Sequence, residues 1–218
     1  MNLGPRIAVV GTSGAGKTTL SARLAALLGC RHVELDAFQH GPNWQQATVE
    51  ELRDRTDRAT TGERWVCDGN YEAVRDLVWG RANQLVWLDY DRPLIMARVI
   101  RRSLWRAITR KPMWNENRED WRAWADPEHP IRWAWVKHGE RRRTYPELLR
   151  LPEHAHLEVL RLRHPRETRR LLAAARRAAY GVPIRCWRRA AGSARSRFPG
   201  RAARLPAWDR RRMQGNTA

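Results

Sequence analysis

Gly11-Thr12-Ser13-Gly14-Ala15-Gly16-Lys17-Thr18 places glycines, a lysine and a hydroxyl at the spacing G-x-x-x-x-G-K-[ST]. The apolar run Ile7-Ala8-Val9-Val10 precedes it and reads as a short buried strand. Leu20, Leu24, Leu27 and Leu28 follow it at helical spacing. Strand, loop and helix in that order make a phosphate-binding loop. Backbone N–H groups of Gly11, Ser13, Gly14, Ala15, Gly16, Lys17, Thr18 and Thr19 would turn inward around phosphate oxygens, aided by the field of a helix N-terminus. Lys17 would reach the β- and γ-phosphates of ATP, and the Thr18 hydroxyl would take a place on Mg²⁺. A glycine-rich turn that happens to contain Lys and Thr is the competing reading; the flanking strand and helix argue against it.

Three further apolar runs end in aspartate: His32-Val33-Glu34-Leu35 at Asp36, Trp65-Val66-Cys67 at Asp68, and Leu85-Val86-Trp87-Leu88 at Asp89. In doubly wound sheets ligands bind outside those strand ends, on the edge that also receives the phosphate loop. Mg²⁺ takes oxygen ligands and keeps several waters, so Thr18, one carboxylate and phosphate oxygens suffice. Asp68, followed by Gly69, is the candidate for the metal. Asp36 is placed to orient or deprotonate an acceptor. Each has a plainer reading, as a turn or cap residue. Asp89 reads as structural, because Asp91-Arg92-Pro93 forms a turn into a helix.

A transferring phosphoryl group needs positive charge on its equatorial oxygens. Arg98 and Arg102, one helical turn apart, and Arg118 in Asn117-Arg118-Glu119-Asp120 are the candidate donors. With 39 Arg in the chain, solvated helix faces are an equal reading for any one of them. Trp105, Trp114, Trp121, Trp124, Trp133 and Trp135 crowd one stretch. They suit packing of a lid onto the body better than stacking of bases. Trp44 could line a substrate pocket, and His154 and His156 read as solvent-facing.

Short strands alternating with helices predict an α/β fold with a mostly parallel sheet. Gly29 is placed to stop the first helix. Residues 47–60 suit a helix. From Pro93 a long helix carries an apolar stripe, Met96, Ile100, Leu104 and Ile108, with Arg98, Arg102 and Arg106 on roughly the opposite face. Residues 110–135 read as irregular, residues 140–150 as helical, Leu157–Leu162 as a fifth strand, and Pro165 to near Gly181 as a last helix.

The net charge of +19 is uneven. Residues 181–218 hold ten Arg and one Asp, so that stretch reads as a disordered basic tail and a possible contact for nucleic acid. Cys30, Cys67 and Cys186 form no C-x-x-C pair, which argues against a zinc site or disulfide framework. No apolar run suits a membrane span and no signal peptide is visible, so a cytoplasmic protein is expected.

Taken together, these motifs resemble the adenylate-kinase-like P-loop NTPases, and within them the group labelled DNA topology modulation proteins. The matching stretches are G-T-S-G-A-G-K-T-T-L, E-L-D-A-F, W-V-C-D-G-N-Y, V-W-L-D-Y-D-R-P, M-W-N-E-N-R-E-D-W and L-R-L-R-H-P-R-E, spanning roughly residues 5–172. The resemblance implies a three-layer fold with a five-stranded parallel sheet over residues 1–180 and a helical lid over approximately 98–137. It implies that Asp68 helps to hold Mg²⁺ through water and that Arg98, Arg102 and Arg118 face the phosphates. Asp68-Gly69-Asn70-Tyr71 departs from the D-G-F-P-R of adenylate kinases, so AMP as acceptor does not carry over. The expected activity is transfer of the γ-phosphate of Mg-ATP to a nucleotide or another small acceptor. The alternative is an ATP-binding regulatory or nucleic-acid-binding protein without turnover.

Overall fold

The central strand is the apolar run that enters the glycine loop: β1 (Arg6–Gly11), with Ile7, Ala8, Val9 and Val10 all buried. The computed structural model describes residues 3–109, 114–117 and 129–180. Such a run, apolar on both sides, belongs inside a parallel sheet covered on both faces. β1 pairs in parallel with β3 (Trp65–Asp68) on one side and β4 (Gln84–Leu88) on the other. β2 (Arg31–Glu34) lies outside β3, and β5 (Glu158–Leu162) outside β4. The order is β2-β3-β1-β4-β5. Its register places Glu34 opposite Asp68 and Gly11 opposite Leu88, so the phosphate loop and the strand-end acids share one edge.

Side-chain alternation divides the core in two. Ile7, Val9, Val66 and Val86 pack with helices α1 (Lys17–Leu28), α5 (Arg92–Thr109) and α7 (Pro165–Tyr180). Ala8, Val10, Cys67 and Trp87 pack with α3 (Val49–Thr60) and α4 (Arg75–Arg81). α2 (Leu35–Gln39) is a short helix directly after β2. α6 (Pro130–Leu148) belongs to both layers: Ala134 joins the first cluster and Tyr145 the second. Local signals set the helix ends. Gly29, at φ 61, closes α1 with its N–H on the Ala25 carbonyl. Thr48 and Glu51 cap α3 reciprocally, each side chain accepting the other's backbone N–H at 3.2 Å.

Four expectations are corrected. β2 ends at Glu34, so Asp36 sits in the first turn of α2 rather than at a strand end. On α5 the core stripe is Ile95, Val99 and Ser103, while Ile100, Leu104 and Ile108 are exposed. The helix is rotated by about one residue because the phosphate loop packs on Val99, which brings Arg98 and Arg102 to the shoulder of the buried face. Residues 130–135 are helical. α6 buries small Ala134 and leaves Trp133 and Trp135 outside, 42% and 55% exposed, under Lys137 and Arg92 respectively. His154 is buried, with its ring against Trp79 and Nδ1 on the Leu148 carbonyl at 2.8 Å. His156, though exposed, bonds the Trp79 carbonyl. Arg118, Trp121, Trp124 and the tail from residue 181 lie outside the described residues. Among the described residues no helix is long and apolar enough to cross a membrane.

Candidate functional site

Three glycines shape the phosphate loop, each at positive φ: Gly11 at 153°, Gly14 at 83° and Gly16 at 92°. Two are also required by closeness. A Cβ on Gly11 would lie 2.8 Å from the Leu88 carbonyl oxygen, and one on Gly14 would lie 2.4 Å from Val99 Cγ2. The side of Gly16 is open, with nothing within 4 Å of an added Cβ. Gly16 is the N-cap of α1 and no side chain caps that helix. The first-turn N–H groups are therefore left to meet an anion.

Side chains hold the loop from outside at three points. Arg98 Nη1 donates to the Ala15 carbonyl at 3.3 Å, and Arg102 Nη2 to Ser13 Oγ at 2.9 Å. Arg141 Nη1 and Asn70 Nδ2 both donate to the Gly11 carbonyl, at 3.1 and 2.6 Å. Asn70 in turn accepts from Tyr145 Oη at 2.8 Å.

Lys17 begins α1, and its ammonium makes no ion pair among the described residues. Burial holds its pKa below the usual lysine range. Asp36 and Asp68 pull it back up, and Arg141 and Arg102 push it further down. A half-buried cation with acids near but not paired with it fits the charge of a polyphosphate. Thr18 is half-buried beside it in the first turn, and Thr19 is exposed. Asp68, 2% exposed, accepts from His32 Nε2 at 3.0 Å, and this bond raises the His32 pKa against the effect of burial. The second Asp68 oxygen and the Thr18 hydroxyl are oxygen donors of the hard kind that suits Mg²⁺.

Asp36 accepts from Tyr71 Oη at 2.7 Å. Burial and the neighbouring Asp36 push the Tyr71 phenol well above its ordinary range, so it stays a donor. Glu34 is raised by burial and partly lowered by a hydrogen bond to Trp114. Trp114 stacks on His40, with centroids 5.7 Å apart and 24° between planes. Asn117 then bonds Trp44 N at 2.9 Å and the Gly41 carbonyl at 2.8 Å. The turn at 114–117 thus holds the loop at 40–44, next to the acids. A cavity of about 10 Å³, room for one water, lies between Tyr71, Asn70, Arg75 and Tyr145.

Lys17, Asp36, Asp68, Arg98 and Arg102 are therefore brought together around the loop. Asp89 is elsewhere engaged, as expected: it is 4% exposed and receives Arg142 and Arg161. Arg141, Asn70, Tyr71, Glu34 and His32 were not read from the sequence as site residues. Asn70 and Tyr71 follow directly on Asp68-Gly69, which is a signal. Arg141 carries none that separates it from its arginine neighbours.

No protein-family model matches the chain. No curated protein matches it either. Among solved structures, a shikimate kinase from Acinetobacter baumannii in complex with shikimate is 19% identical. It covers 83% of this chain and 96% of that chain, with a TM-score of 0.49. A gluconokinase from Sinorhizobium meliloti 1021 is 19% identical over 83% of this chain and 97% of that chain, with a TM-score of 0.43. A sugar kinase from Janibacter sp. HTCC2649 is 20% identical over 82% and 95%, also with a TM-score of 0.43. Likenesses of that size leave both fold and site to be read from this chain's own strand order and loop.

Proposed function

We propose that this protein is a Mg-ATP-dependent phosphotransferase acting on a small acceptor. The observation that carries the reading is Lys17, half-buried and without an ion-pair partner among the described residues, at the mouth of a glycine loop whose open side is at Gly16. The loop N–H groups and Lys17 hold the β- and γ-phosphates. Arg98, Arg102 and Arg141 supply donors for the charge that develops on the transferring group. Arg118, carried by the resemblance alone, belongs to the same proposed set. Thr18 and Asp68 would hold Mg²⁺, which would neutralise charge on the phosphates. Asp36, fixed by Tyr71, meets the acceptor and takes its proton.

Residues 1–180 are proposed as the nucleotide domain, with the lid approximately over 98–137. The adenylate-kinase-like grouping, and the DNA topology modulation group within it, rests on the sequence motifs alone.

The test is ADP formation from Mg-ATP with nucleoside monophosphates, nucleosides and small sugars as acceptors, with Lys17→Ala as control. Acceptor-dependent ADP release that falls by about 10²-fold or more in Lys17→Ala is expected. ATP binding without acceptor-stimulated turnover would overturn the reading in favour of a nucleotide switch. Equal turnover by both proteins would remove the loop from the chemistry altogether.

A further inference from the structure

We infer that Arg142 is a positioning residue: its grip on Asp89 sets the rotation of α6 and thereby seats Arg141 on the phosphate loop. This rests on the nucleotide-binding reading above.

Asp89 is the fixed point. It follows β4 directly and is 4% exposed. A carboxylate removed from water must be paired. Arg142 Nε donates to Oδ1 at 2.6 Å; Arg161 Nε and Nη2 donate to Oδ2 at 2.9 and 2.7 Å. Both oxygens are used, and by opposite elements: α6 and β5. Arg161 is itself held, with its guanidinium 4.2 Å from the centroid of the Trp87 ring. Asp89 therefore has little freedom to follow Arg142 if α6 shifts. Arg142 Nη2 adds bonds to the Asp89 carbonyl at 3.2 Å and to Asp91 Oδ1 at 2.9 Å.

These contacts fix α6 in rotation as well as position. His138 Nε2 bonds the Tyr90 carbonyl at 2.8 Å, Arg142 holds Asp89, and Tyr145 Oη bonds Asn70. Positions 138, 142 and 145 fall on one helix stripe, at i, i+4 and i+7. Arg141 lies 100° around the axis from Arg142, and there its Nη1 meets the Gly11 carbonyl at 3.1 Å. Slippage of α6 by one residue would turn Arg141 away from the loop. An arginine side chain is long and gives up rotamer freedom when ordered. Fixing the helix on which it stands limits the arc its guanidinium can sweep. The Arg142 and Arg161 side chains stay 36% and 35% exposed, so these pairs contribute little net stability, and their proposed role is to select one arrangement.

The experiment compares Arg141→Gln, Arg142→Gln, Arg161→Gln and the double variant Arg141→Gln/Arg142→Gln in the full chain. Mg-ATPγS is titrated calorimetrically and basal ADP release from Mg-ATP is followed. Arg142→Gln and Arg161→Gln each take one guanidinium from Asp89 and leave the other, so both should fold and lose comparable thermal stability. Arg142→Gln is expected to weaken Mg-ATPγS binding or slow ADP release about tenfold, while Arg161→Gln stays near the parent. In the double variant the effect should equal that of Arg141→Gln alone, since Arg142 acts only through Arg141.

Equal losses in Arg142→Gln and Arg161→Gln would mean a general stability effect and overturn the inference. So would multiplying effects in the double variant, or an Arg141→Gln protein that behaves as the parent. In those cases Lys17→Ala still reports on the nucleotide site. If parent and Lys17→Ala bind Mg-ATPγS equally, the underlying reading fails with it.

Discussion

Gly14 is where the phosphate loop touches the core, and Gly14→Ala tests that contact quantitatively. Two costs apply. At φ 83° an alanine sits in left-handed backbone, costing about 1–2 kcal/mol. Its Cβ would also lie 2.4 Å from Val99 Cγ2 and 3.1 Å from the Ile95 carbonyl oxygen. Both neighbours belong to α5, whose Ile95 and Val99 are fully buried, so yielding means moving the helix. Overpacking of this kind costs about 1–3 kcal/mol. The sum, about 2–5 kcal/mol, is a large part of the roughly 5–15 kcal/mol of a typical domain. At about 2–4 °C per kcal/mol, the melting temperature of the unliganded protein should fall by about 4–20 °C. Gly16→Ala shares the backbone cost but meets no atom within 4 Å, so it should cost only about 1–2 kcal/mol. Urea unfolding of Gly14→Ala, Val99→Ala and the double variant separates the terms. Val99→Ala deletes the colliding methyl group, so the double variant should be more stable than the sum of the singles by about 1–3 kcal/mol. Additive losses, or a Gly16→Ala protein as unstable as Gly14→Ala, would refute the packing account of the loop.

Lys17→Met should abolish Mg-ATP binding yet leave the unliganded protein at least as stable as the parent. The folded pKa of Lys17 is depressed by burial, so its charge opposes folding below that pKa and the penalty fades as pH rises through it. Melting curves at neutral pH check this; a clear loss of stability would contradict it. The exposed Arg53–Asp76 pair predicts a loss of stability toward low pH in a separate, acidic window. Arg53 donates to both Asp76 oxygens, at 2.8 and 2.7 Å, and holds that carboxyl below its ordinary value. Its small contribution is present above the unfolded carboxylate pKa of about 3.9 and is lost as pH falls through the lower folded value. The urea midpoints of parent and Arg53→Ala should therefore differ by a constant amount at neutral pH and converge in acid. A gap that persists at low pH would point to the Arg53 bond to the Ala73 carbonyl and to packing of the arginine stem instead.

Elements bounded by strong local signals were legible in the sequence. β1, the loop and α1 are an apolar run, a glycine cluster and a leucine repeat. β3 and β4 are short apolar runs, each ending where an aspartate begins the turn. α7 is opened by Pro165. Where the signal depends on a partner, local pattern does not decide the structure. The most hydrophobic stripe of α5 is not its core face, because that face is chosen by what it must fit. The loop at Gly14 demands Val99, and Ser103 continues the stripe in place of an apolar residue. α6 reverses the usual rule, with alanine inside and tryptophans outside. The turns at 42–44 and 114–117 place Asn43, Trp44, Asn115 and Glu116 at positive φ. No local motif calls for this. The bonds that Asn117 and Asn115 make to the 40–44 loop hold the two turns together across more than seventy residues.

The arginines show why a site can be half visible. Lys17 stands out because lysine is rare here, one of three in the chain, and because its neighbours form a motif. Arg141, Arg142 and Arg143 are identical in type and consecutive, yet they do three different things. One bonds the phosphate loop, one a buried aspartate, and one is exposed. Nothing in the run Arg-Arg-Arg distinguishes them. The difference is 100° of rotation per residue, set by where α6 crosses the sheet edge, and that crossing is held by Ala134, His138 and Tyr145 together with the grip of Arg142 on Asp89. In a chain with 39 arginines, the composition supplies cationic donors in excess. Which of them serve the site follows from which helix faces are buried, and only the packed fold decides that.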